Sequence, residues 1–171
     1  MITMYRGKWK FSVMSADEAE QFIQEVHNER IRFISITEAH GYPIDFNKNK
    51  GNIEFLSLNF DDCTTELEGK CITDLQAKAI VDFVLNDHVA DKTEWFCMNC
   101  TAGVSRSAAV CAAIMRILCG DDMPVFTNSH FCPNMTVYRM VLNRWVERLA
   151  RDGENISQEI WNSVNPNLIG E

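Results

Sequence analysis

A helix predicted at residues 107–115 constrains the fold more than any other segment of the chain. Its sequence, SAAVCAAIM, is apolar on nearly all sides, so the helix has to lie buried in the centre of a domain. Before it, residues 93–98 predict a buried strand, and a loop of small residues, 100–105, joins the two elements. Gly120 ends the helix. We therefore expect a strand, a loop and a buried helix at the centre of the fold.

Strands and helices alternate along the rest of the chain. Three further strands are predicted, at residues 10–14, 31–37 and 53–60. Helices are predicted at about residues 15–28, 73–89 and 134–150, the first two with capping boxes, and a short one at 156–164. This alternation is typical of an α/β fold with a central, mostly parallel sheet and helices on both faces. The length fits a single domain over residues 1–171.

The net charge indicates which classes of partner the chain would bind poorly. The 24 acidic residues outnumber the 16 lysines and arginines, which gives a net charge of −8. Such a chain is a poor ligand for nucleic acid or an anionic membrane surface, so we expect neither as a partner. No apolar run reaches the roughly 18 residues of a membrane span, and the first residues do not resemble a secretory signal. We expect a monomeric, cytoplasmic protein.

The seven cysteines are irregularly spaced and accompany no secretory signal. Disulfides are rare in the reducing cytosol, so we expect free thiols rather than a disulfide framework. Several of these residues, such as Cys111 and Cys119, have apolar neighbours and are predicted to be small core residues.

The chemistry of the chain is concentrated in residues 99–107, NCTAGVSRS. Here a strand runs into a compact turn that opens a helix, and backbone N–H groups in such a turn converge on an anion. Gly103 allows a backbone angle that other residues resist, and Arg106 offers a planar fork for two phosphate oxygens. The same positive field lowers the pKa of a thiol, which makes Cys100 a nucleophile. The loop therefore predicts a site that binds an anion and attacks it.

This stretch resembles the C-x5-R signature of the cysteine-based protein tyrosine phosphatases, and the fuller match C-x-A-G-x-S-R-S is similar to their compact dual-specificity branch. The resemblance implies that Cys100 attacks a phosphoryl group to form a phosphocysteine, which water then hydrolyses. It implies that Arg106 binds phosphate and stabilises the transition state, and that the Ser107 hydroxyl stabilises the leaving thiolate. No metal or cofactor is implied. The phosphate-binding residues would be Thr101, Ala102, Gly103, Val104, Ser105 and Arg106.

A general acid is expected upstream of residues 100–106, which we call the signature loop. In the dual-specificity branch an aspartate follows an earlier strand, and this chain has Asp61 and Asp62 after the strand predicted at 53–60. Neighbouring residues of an extended segment point in opposite directions, so only one carboxylate reaches the cleft. The family pattern favours Asp62, with Asp61 as the alternative. The acid would protonate the leaving oxygen.

One departure from the family concerns the residue before the nucleophile. The family usually has a histidine there, which organises the loop and lowers the pKa of the thiol, whereas this chain has Asn99. An amide can donate hydrogen bonds but carries no charge. We therefore expect Cys100 to have a higher pKa than is usual in the family, and the reaction rate to have a more alkaline optimum.

Three other interpretations compete with a phosphatase. Asn99 allows a phospho-binding module with weak turnover. The sequence C-x-x-C from Cys97 to Cys100 is found in thiol redox proteins, although in an extended segment the two Cα atoms lie about 10 Å apart, too far for a disulfide. A zinc site can be drawn from Cys97, Cys100, His130 and Cys132, but the last two residues lack common zinc spacing.

The resemblance also bears on the substrate. The large receptor-type members carry an extra loop that recognises phosphotyrosine, and a chain of 171 residues is shorter than their domain, which implies a shallower cleft. Lipid-directed relatives tend to carry lysine within the signature loop, and this loop has none. We therefore expect a phosphotyrosine or mixed phosphoprotein substrate, or a small phosphomonoester.

Overall fold

The computed structural model describes residues 1–49, 52–64, 70–86 and 93–153. Within these ranges the sheet consists of β1 (Ile2–Arg6), β2 (Trp9–Met14), β3 (Ile31–Thr37), β4 (Ile53–Asn59) and β5 (Trp95–Asn99). The order of the strands across the sheet is β1-β2-β5-β3-β4. The strand that leads into the signature loop therefore lies at the centre of the sheet.

All but one of the strands are parallel. β5 pairs with β2 on one side and with β3 on the other, and β4 pairs with β3. β1 is the exception, because it forms an antiparallel hairpin with β2 through Gly7, whose φ is +55°. The sequence does not predict β1, because this half-exposed edge strand lacks an apolar run. The prediction of a mostly parallel sheet is confirmed.

Helices cover both faces of the sheet, as the sequence predicts. They are α1 (Ala16–Phe22), α2 (Asp74–Val84), α3 (Arg106–Cys119), α4 (Met123–Phe126) and α5 (Met135–Arg151), with a 3-10 turn at Phe46–Lys48. α1 packs on one face, where Phe22 contacts Phe33 and Trp95. α2, α3 and α5 pack on the other face, and α3 is the buried central helix of that layer. The predicted α/β fold is confirmed.

The starts of three helices are encoded locally. Ser15 begins α1 and Thr73 begins α2, each with the reciprocal bonds of a capping box. The Asn134 side chain caps α5 by accepting from the backbone N–H groups of Thr136 and Val137. These starts agree with the predictions from the sequence.

The ends of two helices come earlier than the sequence predicts. α1 ends at Phe22, because the chain turns back and the His27 ring stacks on Phe22, with Nε2 2.9 Å from its carbonyl oxygen. α2 ends at Val84, whose carbonyl oxygen accepts from the buried Arg32 side chain at 2.8 Å. In both cases a side chain satisfies the last carbonyl groups, and the apolar periodicity of the sequence does not report such contacts.

The region after α3 adds one unpredicted helix. α4 is too short to show a helical period in the sequence. The short helix predicted at residues 156–164 falls outside the described residues. Within those residues, no helix is both long enough and apolar enough to span a membrane.

Candidate active site

The signature loop lies at the carboxyl end of β5, between the sheet and α3. Cys100 follows the last residue of β5, and Arg106 is the first residue of α3. Both side chains are buried, with 2% of Cys100 and 4% of Arg106 exposed. Ligands of open parallel sheets bind at this edge, outside the carboxyl ends of the strands. The fold therefore places the predicted nucleophile and the predicted phosphate-binding residues at the edge of the sheet where ligands bind.

The shape of the loop depends on Gly103. Its φ is +71°, a conformation that residues with a Cβ rarely adopt. A Cβ here would lie 2.6 Å from the carbonyl carbon of Met14 and 2.8 Å from the backbone nitrogen of Ser15. At the same junction between β2 and α1, the N–H of Ala16 donates to the carbonyl oxygen of Thr101 at 3.2 Å. Glycine is therefore the residue that lets the loop pack against this junction.

The segment before α5 holds the other side of the loop. The N–H of Cys132 donates to the carbonyl oxygen of Val104 at 3.0 Å, and the N–H of Asn134 donates to that of Ser105 at 3.4 Å. The carbonyl oxygens on this side of the loop are thus occupied. The backbone N–H groups of Gly103 and Val104, by contrast, donate to the Cys100 sulfur.

Cys100 is held in surroundings that favour the thiolate. Burial raises the pKa of its thiol, but hydrogen bonds to the sulfur outweigh burial and leave the pKa below its ordinary value. The donors are the Ser107 hydroxyl, whose Oγ lies 3.1 Å from Sγ, and the backbone N–H groups of Ser107, Gly103 and Val104. These donors converge on a negative charge at the base of the loop.

Cys97 differs from Cys100 in its position in the core and in the pKa of its thiol. It is fully buried in the core on the α1 face, whereas Cys100 belongs to the core on the other face. Burial raises the pKa of the Cys97 thiol well above its ordinary value. Both residues are free, so they do not form the redox pair of a C-x-x-C protein. No group of three or more His, Cys, Asp or Glu side chains in the described ranges could hold a metal ion, which leaves the zinc interpretation without support.

The Arg106 guanidinium is held in a fixed orientation. Nη1 donates to the carbonyl oxygen of Phe60 at 2.7 Å, and Nη2 donates to Glu38 Oε1 at 2.9 Å and to Thr101 Oγ1 at 3.0 Å. Nε is buried and has no hydrogen-bond partner among the described residues. A buried donor without a partner, beside an anion cradle, is a group that a phosphate oxygen would satisfy.

Glu38 belongs to the site although the local sequence does not reveal it. It directly follows β3, and its carboxylate accepts hydrogen bonds from Thr101 and Arg106, which hold its pKa below the ordinary value. About half of the side chain, 51%, is exposed. The one signal in the sequence is its position, since a polar residue at the carboxyl end of a central strand lies at the binding edge of a parallel sheet.

Asp61 and Asp62 have different partners, as the alternation of an extended segment predicts. The Asp61 carboxylate accepts from the backbone N–H groups of Ala39, at 3.0 Å, and Lys70, at 3.3 Å, and the bond from Ala39 is the main reason that its pKa is lowered. The Asp62 carboxylate is exposed and accepts from the Ser105 hydroxyl at 2.9 Å. The structure therefore brings Asp62, rather than Asp61, to the signature loop.

Asn134 holds Asp62 in place. Its Nδ2 donates to Asp62 Oδ1 at 2.7 Å and to the carbonyl oxygen of Cys63 at 2.8 Å, while its own Oδ1 caps α5. It thereby connects the start of α5 to residues 61–64, which together with residues 70 and 71 we call the acid loop. Oδ1 of Asp62 takes both of the bonds just described, and the described residues offer no hydrogen bond to Oδ2.

Asn99 lies completely buried beneath the signature loop. Neither polar atom of its side chain has a hydrogen-bond partner in the described part of the chain, and the same holds for the Oγ atom of Ser35. Ser35 is the register partner of Asn99 on β3, so the two side chains lie next to each other on one face of the sheet. The residue that replaces the histidine usual in the family thus gives the signature loop no hydrogen bond from its side chain.

The structure corrects the prediction that all the cysteines are free. Cys63 and Cys71 form a disulfide, with their Cα atoms 5.4 Å apart. The prediction is wrong because the fold, not the spacing, decides which thiols meet, and the chain returns after Asp62 to bring these two together. The other five cysteines are free, and Cys111 lies in the core as expected, with Cys119 packed against it.

Several solved structures are similar to this chain over most of its length. The crystal structure of Tk-PTP in the active form is similar over 85% of this chain and 97% of that one, with 18% identity and a TM-score of 0.55. Human DUSP28 is similar over 82% of this chain and 94% of its own, with 15% identity and a TM-score of 0.54. PTPMT1 in complex with PI(5)P is similar over 82% and 91%, with 18% identity and a TM-score of 0.54.

Other comparisons add no further relatives, since no family model and no curated protein matches this chain. At identities of 15% to 18%, the likeness to solved structures shows the fold. That fold is the one of the cysteine-based protein tyrosine phosphatases of the dual-specificity type. The resemblance based on residues 99–107 is therefore confirmed at the level of the fold.

Proposed function

We propose that the chain is a cysteine-dependent phosphatase that hydrolyses phosphate monoesters, with phosphotyrosine or mixed phosphoproteins as substrates. The observation that carries the proposal is the environment of Cys100, a buried thiol of lowered pKa that lies 3.1 Å from the Ser107 hydroxyl. Its hydrogen-bond donors belong to the same loop as Arg106. A nucleophile and an anion site built from one loop support phosphoryl transfer to sulfur.

In the first step, the Cys100 thiolate attacks phosphorus, and the bond between phosphorus and the leaving oxygen breaks. Asp62 gives the leaving oxygen a proton from Oδ2, the oxygen that Ser105 and Asn134 leave open. Arg106 and the N–H groups of the loop hold the other phosphate oxygens, over which the charge of the transition state spreads. The products are a phosphocysteine and the free alcohol or phenol.

In the second step, water attacks the phosphorus of the phosphocysteine, and the bond between sulfur and phosphorus breaks. Asp62, now a carboxylate, accepts a proton from the water. The Ser107 hydroxyl donates to the departing sulfur, for which its Oγ is placed at 3.1 Å. Inorganic phosphate leaves, and Cys100 returns to the thiolate.

The rim of the site favours a phosphoprotein over a more highly charged substrate. The five residues between Cys100 and Arg106 include no cation, and the Glu38 carboxylate lies against the guanidinium of Arg106. PTPMT1 has been crystallised with PI(5)P. In this chain, Glu38 and the net charge of −8 would repel additional anionic groups on a ligand. We therefore expect a single phosphate group presented by a protein side chain.

Location and assembly are proposed from the sequence alone. We propose a monomeric protein of the cytoplasm, with one domain over residues 1–171. The net charge of −8 supports phosphorylated proteins as partners over nucleic acid or anionic membrane surfaces.

A phospho-binding module with weak turnover is the second candidate, and Asn99 favours it. Within the described chain this buried amide makes no hydrogen bond to the signature loop. The presence of Cys100, Asp62 and Arg106 favours turnover instead. The two candidates differ in whether bound phosphate monoesters are hydrolysed in a reaction that depends on Cys100.

Hydrolysis of p-nitrophenyl phosphate without added metal tests the proposal. We expect turnover by the unaltered chain and a fall of about 10⁴-fold or more in Cys100→Ser, because the serine hydroxyl is a far weaker nucleophile than the thiolate. Cys119→Ser, at a free cysteine at the end of α3, is the matched control and should keep its rate. Absence of turnover in the unaltered chain, with vanadate still protecting Cys100 from alkylation, would favour the binding module.

A further inference from the structure

The disulfide between Cys63 and Cys71 joins the two segments of the acid loop. Cys63 directly follows Asp62, and Cys71 directly follows Lys70. The backbone of Lys70 is tied to Asp61, since the Lys70 carbonyl oxygen accepts from the Asp61 N–H at 2.8 Å and the Lys70 N–H donates to Asp61 Oδ2 at 3.3 Å. The covalent bond thus reinforces a contact that noncovalent bonds make two residues before Cys63 and one residue before Cys71.

We propose that this disulfide positions Asp62 for proton transfer and makes that transfer sensitive to thiol reductants. The inference rests on the proposed function, because it assigns a role to a bond beside the proposed general acid. Cys63 is held from two sides, by the disulfide and by the bond of 2.8 Å from Asn134 to its carbonyl oxygen. Asp62 is exposed, so its position depends on such anchors and not on packing.

The place of the bond distinguishes this role from general stabilisation. A disulfide stabilises the fold as a whole less when the segment it closes is short, and here the cysteines are only eight residues apart. The Asp62 side chain stands immediately outside that segment and faces Ser105 of the signature loop. Intracellular disulfides are usually transient and take part in catalysis or redox sensing. A reducible bond next to the general acid fits that class.

The two sulfur atoms differ in how accessible they are to a reductant. Cys63 is 3% exposed, whereas Cys71 is only half-buried. The thiolate of a dithiol reductant would attack Sγ of Cys71, the bond between the two sulfurs would break, and Cys63 would leave as a thiolate. The second thiol of the reductant would then displace Cys71 from the mixed disulfide. Two electrons pass to the protein, and the reductant ends as a disulfide.

Reduction should leave the phosphate site intact, because the signature loop has other supports. Gly103 packs on Met14 and Ser15, and Val104 is held by the N–H of Cys132. None of these contacts involves Cys63 or Cys71. The pKa of Cys100 depends on donors within the signature loop and α3. Reduction should therefore slow only the step that needs a proton from Asp62.

The test compares two substrates in the same anaerobic sample, before treatment with dithiothreitol and after treatment followed by anaerobic removal of the reductant. Phenyl phosphate has a poor leaving group that needs the acid, and p-nitrophenyl phosphate has a good one that does not. Partial inactivation of the Cys100 thiol lowers both rates equally. The ratio of the two kcat/KM values therefore measures proton transfer from Asp62 alone. A thiol count in denaturant should rise from five to seven, because five of the seven cysteines are free before reduction.

We expect the ratio of phenyl phosphate to p-nitrophenyl phosphate hydrolysis to fall about tenfold on reduction, less than the roughly 100-fold contribution of a complete general acid. The Cys63→Ser/Cys71→Ser double variant should show the same ratio without reductant. Cys119→Ser, which removes a free cysteine remote from the acid loop, should keep the ratio of the unaltered chain. Vanadate should protect Cys100 from alkylation equally in all of these samples.

Several outcomes would overturn the inference. One is a thiol count of seven before reduction, and another is a ratio that stays within twofold when the count rises from five to seven. A third is an equal loss of both rates in the double variant together with a loss of vanadate protection, which would assign the bond to the fold and not to the acid. The absence of Cys100-dependent turnover in either redox state would refute the proposed function and this inference with it.

Discussion

The signature loop and the acid loop lie at the same edge of the sheet but are built in different ways. The donors to the Cys100 sulfur all come from residues 103–107, in one continuous segment that includes the start of α3. The hydrogen bonds to the Asp62 carboxylate come from the side chains of Ser105 and Asn134, which are 43 and 72 residues away along the chain. A proposed nucleophile with local support and a proposed general acid with distant support should be separable by mutation.

The largest effect should come from disturbing the signature loop itself. In Gly103→Ala the new Cβ would meet the backbone of Met14 at 2.6 Å, so the N–H groups of the loop have to move. We expect kcat/KM to fall about 10³-fold for phenyl phosphate and p-nitrophenyl phosphate alike, because both reactions need these donors. Steady-state kinetics on the two substrates measures the effect.

Gly120→Ala is the matched control for that variant. Gly120 has a similar φ of +68°, but no atom lies within 4 Å of the place where its Cβ would be. This variant has the backbone strain without the collision and should keep its activity. If Gly103→Ala lost no more activity than Gly120→Ala, the packing of the loop against Met14 would not matter for catalysis.

A selective effect should come from the acid loop. We expect Asp62→Asn to lower kcat/KM for phenyl phosphate about 100-fold and to change that for p-nitrophenyl phosphate little, because only the poor leaving group needs a proton. Steady-state kinetics on the two substrates measures both effects. Equal losses on the two substrates would contradict the assignment of Asp62 as the general acid.

Asp61→Asn is the matched variant at the neighbouring aspartate. It should lower the stability of the fold and have little effect on the reaction. The pKa of Asp61 is lowered by backbone bonds, chiefly from Ala39. A lowered pKa means that the ionised carboxylate stabilises the fold above its ordinary pKa, and that this stabilisation is lost as the pH falls through the lowered value. The Tm of Asp61→Asn should therefore lie below that of the unaltered chain at pH 7, with the difference shrinking in acid. The ratio of the two substrates should change far less than in Asp62→Asn.

The smallest effect should come from beneath the signature loop, at Asn99. We expect Asn99→His to lower the pKa of Cys100 further, because a histidine can carry the positive charge that the amide lacks. The rate of alkylation by iodoacetamide against pH should then move to lower pH, with a change in kcat of less than about tenfold. Ser35→Ala, at the buried register partner of Asn99, is the control and should leave the alkylation profile in place. A profile that did not move in Asn99→His would contradict the expectation.

The fold was predictable wherever its signals are local. The strand at residues 31–37 and the buried central helix follow from apolar runs, and the helix starts at Ser15 and Thr73 follow from capping boxes. The predictions failed where a distant side chain decides the outcome. The Arg32 side chain, which comes from β3, binds the end of α2, and no pattern within α2 reports it.

The candidate site also divides into residues that the local sequence predicts and residues that only the fold brings to it. Cys100, Arg106 and Ser107 stand in one short pattern, so their proximity follows from the chain itself. Glu38 and Asn134 reach the site only because the strand order and the packing of α5 bring them there. The disulfide is the extreme case, since the spacing of the seven cysteines does not indicate which two of them are bonded.

The sequence by itself determined the alternation of strands and helices and was enough to propose a nucleophile and its anion cradle, because each of these depends on residues a few positions apart. The family pattern already favours Asp62 over Asp61, but only the tertiary structure shows that Ser105 and Asn134, from elsewhere in the chain, bind the Asp62 carboxylate. The tertiary structure also decided that Cys63 and Cys71 are bonded. The physical reason is that hydrogen bonds and disulfides require atoms within a few ångströms of each other, and for residues far apart in the chain only the packed fold sets that distance.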